Sequence, residues 1–478
     1  MEEFLSWLHE HGAQFPKVQF PSSTPLGRGA TALGDIETNE VMITIPSRLM
    51  VSEQNALLDP TLGPILLQHD HLKGDILLAF YIMHELVKGN SSFYSPYFNI
   101  IPAPSTITHW SIDIIPLFQD SALVTIVKFR LSDLRKMFQT VSVFCEEHIE
   151  LFPGELYTFE LFKYSYGIIQ NRAFGRRLPW SALVPLADCL NHANVQTKYD
   201  YNVEANDSFR IYPSGSNRYL EGQEVFNSYG RRENANLLLD YGFAILDNEW
   251  ETISLTVRLH QHEELFAEKA KLLQRLRLNT IIRYSFSRFN LPLDLITFYR
   301  IIALSSDELA HANEDITLVR RSIGLDAEIR AMTLLLDSLA RLMKLFPTTI
   351  DDDEHALQAL DDYGELPDSS ADLQVDAEQW HSILKFRITQ KRIIQKTLIK
   401  LKYLRRLLTG FANAVSQNVM LLISHNHIQG AEEPNLASIL EKLGHISGGV
   451  PSTSNRNHCS QFEMEEYVKN LIDLAGLS

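Results

Sequence analysis

Apolar positions along the chain follow two periodicities. Phe4, Leu5, Trp7 and Leu8 are spaced as one face of a helix, which Gly12 can end. Val41, Ile43 and Ile45 alternate up to Pro46 and predict a strand. From about Glu53 to Phe159 the spacing is mostly helical. Asp75 to Val87 predicts an apolar helix, Ser95-Pro96-Tyr97 to Ile101-Pro102 a loop with aromatic anchors, and Ser132-Asp133 the cap of a further helix. A helix from about Thr158 to Ile169 leads into Asn171-Arg172-Ala173-Phe174. Beyond about Arg258 the pattern is helical again. Leu265, Leu272 and Leu276 share a face, and Ile329, Met332, Leu336, Leu339 and Met343 step by three and four. Ile394, Leu398, Leu401, Leu404 and Leu408 do the same, and such stripes predict core between packed helices.

Between these helical stripes, Pro347 to Glu378 is rich in Asp and Glu and has no Lys or Arg, which predicts a long, partly disordered loop. The helix after it is basic, with Lys385, Arg387, Lys391, Arg392, Lys396, Lys400, Lys402, Arg405 and Arg406. Intramolecular screening between the two is expected. Gly448 to Cys459 reads as a flexible stretch before a last short helix, and no internal repeat is found.

Composition narrows the functional classes. A formal charge of -16 and a pI near 5.5 argue against nucleic-acid binding as the main activity, because that footprint is basic. The acidity either steers basic partners toward the surface or serves solubility alone. Cys145, Cys189 and Cys459 are far apart and odd in number, so neither a disulfide framework nor a four-thiolate zinc site is expected, and no metal is assigned. The N-terminal residues lack a basic stretch followed by an apolar one, and no run approaches the ~20 apolar residues of a membrane span. A soluble, monomeric protein of the cytoplasm or nucleus is the expectation. No Gly-x-Ser-x-Gly elbow appears and Cys189 has no base partner in sequence, so a hydrolase is not indicated.

The chemistry concentrates between Leu183 and Phe243. An apolar run, Leu183-Val184-Pro185-Leu186-Ala187-Asp188-Cys189-Leu190, ends in Asn191-His192. An alternating segment from Gly222 ends as a strand in Tyr229-Gly230, and Asp240-Tyr241-Gly242-Phe243 follows. Alone, an Asn-His pair reads as a turn or cap and a Tyr-Gly as a half-buried strand end. Upstream, Leu26-Gly27-Arg28-Gly29 is either a hairpin turn or a close backbone approach to a ligand. It is not a dinucleotide fingerprint, since the third glycine and the helix are missing.

The order of six features is more specific than any one of them: Gly-Arg-Gly, helical block, Asn-Arg-Ala-Phe, Asn-His, Tyr-Gly, helical tail. It resembles the SET-domain protein methyltransferases of the Rubisco large-subunit methyltransferase-like family, over nearly the whole chain. The resemblance implies an α+β fold: SET sheets in 1–52 and 159–258, split by a helical insert in 53–158. An all-helical substrate-binding domain, 259–478, would carry the acidic loop 347–378.

The resemblance also implies S-adenosylmethionine as methyl donor and a protein substrate, non-histone and ribosomal or translational. Tyr229 would stand at the bottom of the channel with its hydroxyl near the transferred methyl. Asn191 and His192 would contact the donor, Phe243 would cover its adenine, Arg172 would lie near it, and the backbone of Arg28 and Gly29 would complete the donor site. Many members have an acidic residue where this chain has Leu26. Arg28 and Arg172 could instead be surface charges, Arg28 more readily than Arg172. Asp188 and Arg232 would each be either a peptide contact or a member of a structural ion pair.

Two positions bear on the nucleophile. A histidine-methylating branch of the family has a polar amide where Phe174 stands and a large indole where Ala187 stands. An imidazole needs a hydrogen-bond partner to fix its tautomer, and Phe174 offers none. A Phe wall beside a small Ala favours lysine, with histidine methylation, or a scaffold that has lost catalysis, as alternatives.

Overall fold

The computed structural model describes residues 1–424 except 70, 176–177, 203–206, 322–323 and 368–372, with side chains as far as 410 except that of residue 202. The stretch Gly448–Cys459 and the short helix expected after it lie outside the described residues. The described residues form two compact units, Met1–Ile245 with Leu357–Phe386, and Leu246–Ala356 with the described residues from Arg387 onward.

The first unit is built on small antiparallel sheets. β1 (Val18–Thr24) and β2 (Gly27–Ala32) make a hairpin with Thr24 opposite Gly27, whose φ of +92° is the turn conformation a glycine adopts freely. β3 (Ile43–Pro46) shows the expected alternation, Ile43 and Ile45 buried and Thr44 only partly so. The two-residue strand β4 (Val51–Ser52) pairs with β5 (Ala182–Leu183). β6 (Thr197–Asn202) and β7 (Ser208–Pro213) join β3 in a three-stranded sheet of order β3-β7-β6.

Helices separate the two halves of this sheet structure. Gly74–Lys88 buries Leu77 through Met83 and packs against the helix Phe159–Arg172, which Thr158 caps by accepting from the Leu161 N–H. The helix expected to begin at Ser132-Asp133 begins earlier. It runs unbroken over Ser121–Glu147, and Asp120 caps it by accepting from the N–H groups of Ala122 and Leu123. Only a helix end has unpaired N–H groups for a cap to satisfy. Asp133, inside the helix, pairs instead with Lys136 at 3.0 Å.

The second unit is not all-helical. β8 (Ile253–Arg258) and β9 (Ile281–Phe286) form an antiparallel pair, with Ile253, Leu255 and Val257 buried on one face. That two-residue alternation is present in the sequence, but the stronger helical stripes beyond it obscured it. Helices Leu293–Ala303 and Leu325–Met343 pack together, and Met332, Leu336, Leu339, Ile394, Leu401 and Leu408 are core residues as the stripes required. The acidic stretch is also corrected: Ile350–Tyr363 is a helix. Asp353 is buried between Arg387 at 3.3 Å and Lys391 at 2.6 Å, and Glu354 meets Arg392 at 2.8 Å. The disorder expectation counted the charge of the segment alone, whereas the countercharges stand on the basic helix Ala377–Ser424.

Candidate active site

The site assembles in the first unit around one extended segment. Residues 223–229 run beside β2 and beside Asn191-His192. The Val225 N–H donates to the Ala30 carbonyl at 2.8 Å, and the Asn227 N–H to the Asn191 carbonyl at 2.9 Å. Alternation had predicted a strand here. The structure has single bridges instead, Thr31 with Glu224 and His192 with Asn227.

The Gly-Arg-Gly stretch lies against the Asn-His pair. Asn191 Nδ2 donates to Glu224 Oε1 at 2.8 Å and reaches the Arg28 carbonyl at 3.4 Å. A Cβ on Gly29 would come 2.8 Å from that Nδ2 and 2.7 Å from that Oε1, so only glycine fits without displacing them. The hairpin is present, and its Gly29 backbone is approached closely by the Asn191 and Glu224 side chains. The Arg28 side chain itself turns toward the helical insert and donates to the Ile100 carbonyl at 2.7 Å. Leu26, where a family member often has an acid, is 61% exposed.

Tyr229 sits in a column of rings. Its ring stacks on His192 at 4.8 Å and on Tyr241 at 4.4 Å, and Phe243 lies 6.2 Å from His192 and 6.5 Å from Tyr229. The Tyr229 hydroxyl donates to the Leu190 carbonyl at 2.9 Å. The Tyr229 N–H donates to His192 Nδ1 at 3.1 Å, and the Asn227 carbonyl lies 3.3 Å from the same nitrogen. Gly242, at φ +84°, ends the helix Asn234–Tyr241, and a Cβ there would come 1.9 Å from the Ser105 carbonyl oxygen. That requirement for glycine turns the chain so that Tyr241 and Phe243 both approach Tyr229.

Arg172, the last residue of its helix, donates to the Asp188 carbonyl at 3.0 Å and lies 3.7 Å from Asp188 Oδ1. The Tyr97 hydroxyl donates to Asp188 Oδ2. Burial pushes the Asp188 carboxyl up to about 6, against the pull of Arg172 and of the Tyr97 hydrogen bond. Burial likewise raises the Tyr229 phenol and keeps it protonated, and burial with the nearby Arg232 charge lowers His192 and keeps it neutral. Burial drives the Cys189 thiol up to about 12, which removes it as a nucleophile.

A cavity of ≈ 240 Å³ opens beside this column, lined by Arg172, Phe174, Asp188, Tyr229 and Arg232 together with Asn171, Tyr199 and Tyr241. Phe174 stands edge-on to Tyr199 at 5.0 Å and packs on Phe209 at 4.8 Å. Arg232 lines the cavity while pairing with Asp240 at 2.8 Å. Asn171 Oδ1 is buried with no hydrogen-bond partner. Ala187 is fully buried and is not part of the lining. Arg28, Gly29, Asn191, His192 and Phe243 are also outside the lining; His192 and Phe243 touch Tyr229, and Asn191 bonds to the lining residue Asn227.

Sequence reasoning missed Asn171, Tyr97, Tyr199, Glu224 and Tyr241. Asn171, Glu224 and Tyr241 stand inside motifs already quoted and Tyr97 in the aromatic loop, so a signal was present for four of them. Tyr199 is one aromatic in a strand and carried none.

Comparison with known proteins supports the resemblance. Residues 260–394 match the family model described as Rubisco LSMT substrate-binding. The actin-histidine N-methyltransferase of Homo sapiens is 23% identical over 420 residues, 83% of this chain and 67% of that protein. The enzyme of the same name from Xenopus tropicalis is 25% identical over 425 residues, covering 83% and 69%. Among solved structures, the SET domain of LSMT bound to lysine and AdoHcy superposes with a TM-score of 0.60 at 20% identity, covering 93% of this chain and 98% of that one. Rubisco LSMT bound to AdoMet gives 0.62 at 20% identity, covering 92% and 99%. The chain therefore has the SET fold of LSMT, with small sheets, a helical insert and a largely helical C-terminal region that includes a segment of the Rubisco LSMT substrate-binding kind.

Proposed function

We propose that this chain is an S-adenosylmethionine-dependent protein methyltransferase that methylates a side-chain nitrogen. The observation that carries the reading is the protonated Tyr229 phenol at the junction of two environments. On one side is the aromatic cavity, and on the other the Asn191–Glu224 and His192 cluster with the backbone of β2. The donor residues fit the cofactor: the Gly29 cradle gives close backbone approach, Arg172 suits a carboxylate, and the Phe243 face suits an adenine. Bound there, S-adenosylmethionine supplies a methyl group on a sulfonium.

The chain's own residues do the rest. Phe174, Tyr199 and Tyr241 form the aromatic part of the cavity wall and shield the substrate nitrogen from water there. The same aromatic faces accommodate a developing cation. Tyr229, held by His192 stacking and by its bond to Leu190, fixes the floor against which the nucleophile is aligned. Its phenol stays protonated, so it orients by hydrogen bonding and does not act as a base.

Lysine is the nucleophile that the Phe174 wall favours; Ala187, outside the cavity lining, carries no weight in that choice. Histidine is the better-supported reading, and two observations favour it. The curated relatives are named for it, and the orphaned Asn171 Oδ1 at the cavity wall could accept from an imidazole N–H and fix its tautomer. The test is incubation of purified chain with labelled S-adenosylmethionine and, in turn, a lysate and actin, followed by mass spectrometry. Methyl-lysine supports the first reading and methyl-histidine the second. Donor binding without any product would point to an inactive scaffold.

A further inference from the structure

The helical insert holds a second cluster of chemistry-bearing side chains. His69 lies in the turn after the helix Gly63–Leu66, and Glu147 and His148 end the helix Ser121–Glu147. The two imidazoles face each other, His148 Nε2 to His69 Nε2, at 2.9 Å. Glu147 Oε2 is 3.5 Å from His69 Nδ1. One ligating atom from each of the three lies within 4.8 Å of the others, and no other such trio occurs among the described residues. We propose that His69, His148 and Glu147 bind one divalent transition-metal ion of the zinc type.

Three features support this over a plain hydrogen bond. Both imidazoles rest on Phe144, at 5.0 Å and 5.1 Å between ring centres, so a water-poor floor fixes their orientation. Two nitrogens on a tetrahedral zinc at ~2.05 Å stand roughly 3.3 Å apart, so a spread of a few tenths of an ångström admits the ion. The cluster also lies at the C-terminal end of a 27-residue helix, where the helix dipole favours a cation. Glu147 is half exposed and can swing to become the third ligand, and the exposed His71, its ring 5.3 Å from that of His69, can supply a fourth. Two or three imidazoles with one carboxylate form a ligand set that suits zinc, copper or nickel better than magnesium or calcium.

The site shares no residue with the aromatic cavity. It would staple the turn at His69 to a helix end 79 residues away, so its expected effect is on stability. The test uses the full chain stripped with a chelator and titrated with zinc chloride by calorimetry. Thermal unfolding with and without zinc and the visible absorption of the cobalt(II) form complete it. One ion per chain, a raised unfolding midpoint and a tetrahedral cobalt spectrum are expected. His148→Gln should weaken zinc binding by at least about tenfold and abolish the midpoint shift. Glu147→Gln, on an exposed side chain, should bind zinc more weakly than the unaltered chain while folding normally. Zinc binding as tight in His148→Gln as in the unaltered chain, or an unchanged midpoint with zinc present, would overturn the proposal and leave a histidine–histidine hydrogen bond.

Discussion

Each unit buries an arginine beside a carboxylate, and the two pairs are built differently. In the second unit Arg300 Nε donates to both Glu328 oxygens, at 2.7 Å and 2.9 Å, while its Nη1 donates to the carbonyls of Val319 and Arg320. Both side chains are about 1% exposed. In the first unit Arg172 stands 3.7 Å from the Asp188 carboxylate, both residues line a cavity, and burial raises the acid to about 6. A tightly met, fully buried pair is architecture, costly to break but chemically silent. A looser pair beside an aromatic cavity keeps a titrating group where a substrate can enter.

The sharpest test of that contrast is Glu328→Ala. It would leave the buried Arg300 charge without its carboxylate and should lower stability by roughly 3–5 kcal/mol in urea unfolding. Near-normal stability would show that the pair is not the fixed structural element claimed for it.

Tyr229→Phe should do the reverse. Folding and donor affinity should be kept while turnover falls by about a hundredfold or more, the scale of a lost alignment at the reacting centre. Turnover at the unaltered level would falsify the placement of Tyr229 at the channel floor.

Gly29→Ala should act on the donor side alone. The new methyl group would push Asn191 and Glu224 apart, and calorimetry should show donor affinity falling by about tenfold, close to 1.4 kcal/mol, with KM for the protein substrate unchanged.

Asp188→Asn carries the smallest effect. The folded pKa of about 6 stands above the ordinary carboxylate value of about 3.9, so the protonated acid is favoured by folding. Its stabilising contribution is complete below about pH 4 and is lost as pH rises through about 6. The unaltered chain should lose stability across that window, and Asp188→Asn should lose less. Identical pH profiles would mean the carboxyl is not raised.

Much of the site was legible because its motifs are short and local. Tyr229-Gly230, Asn191-His192 and Asp240-Tyr241-Gly242-Phe243 announce themselves by residue type, and the structure stacks their rings on one another. Glu224 was passed over because its value lies in a partner 33 residues away. Ala187 was assigned to the pocket by analogy, and the strained turn at Leu186, φ +70°, carries the chain so that Asp188 lines the cavity and Ala187 does not. The acidic stretch misled for a related reason. Screening by Arg387, Lys391 and Arg392 was expected and is present, but local sequence did not show that Asp353 and Glu354 meet these cations closely within an ordered helix.

By itself the sequence determined which segments are amphipathic, where glycines permit tight turns, and which polar residues are available for chemistry. These follow from periodicity and side-chain identity, which act over a few residues. Tertiary structure alone decided which carboxylate meets which cation, which phenol is buried enough to stay protonated, and which of two neighbouring residues faces a cavity. Those outcomes depend on burial and on distances between groups far apart in the chain, and local sequence does not encode them.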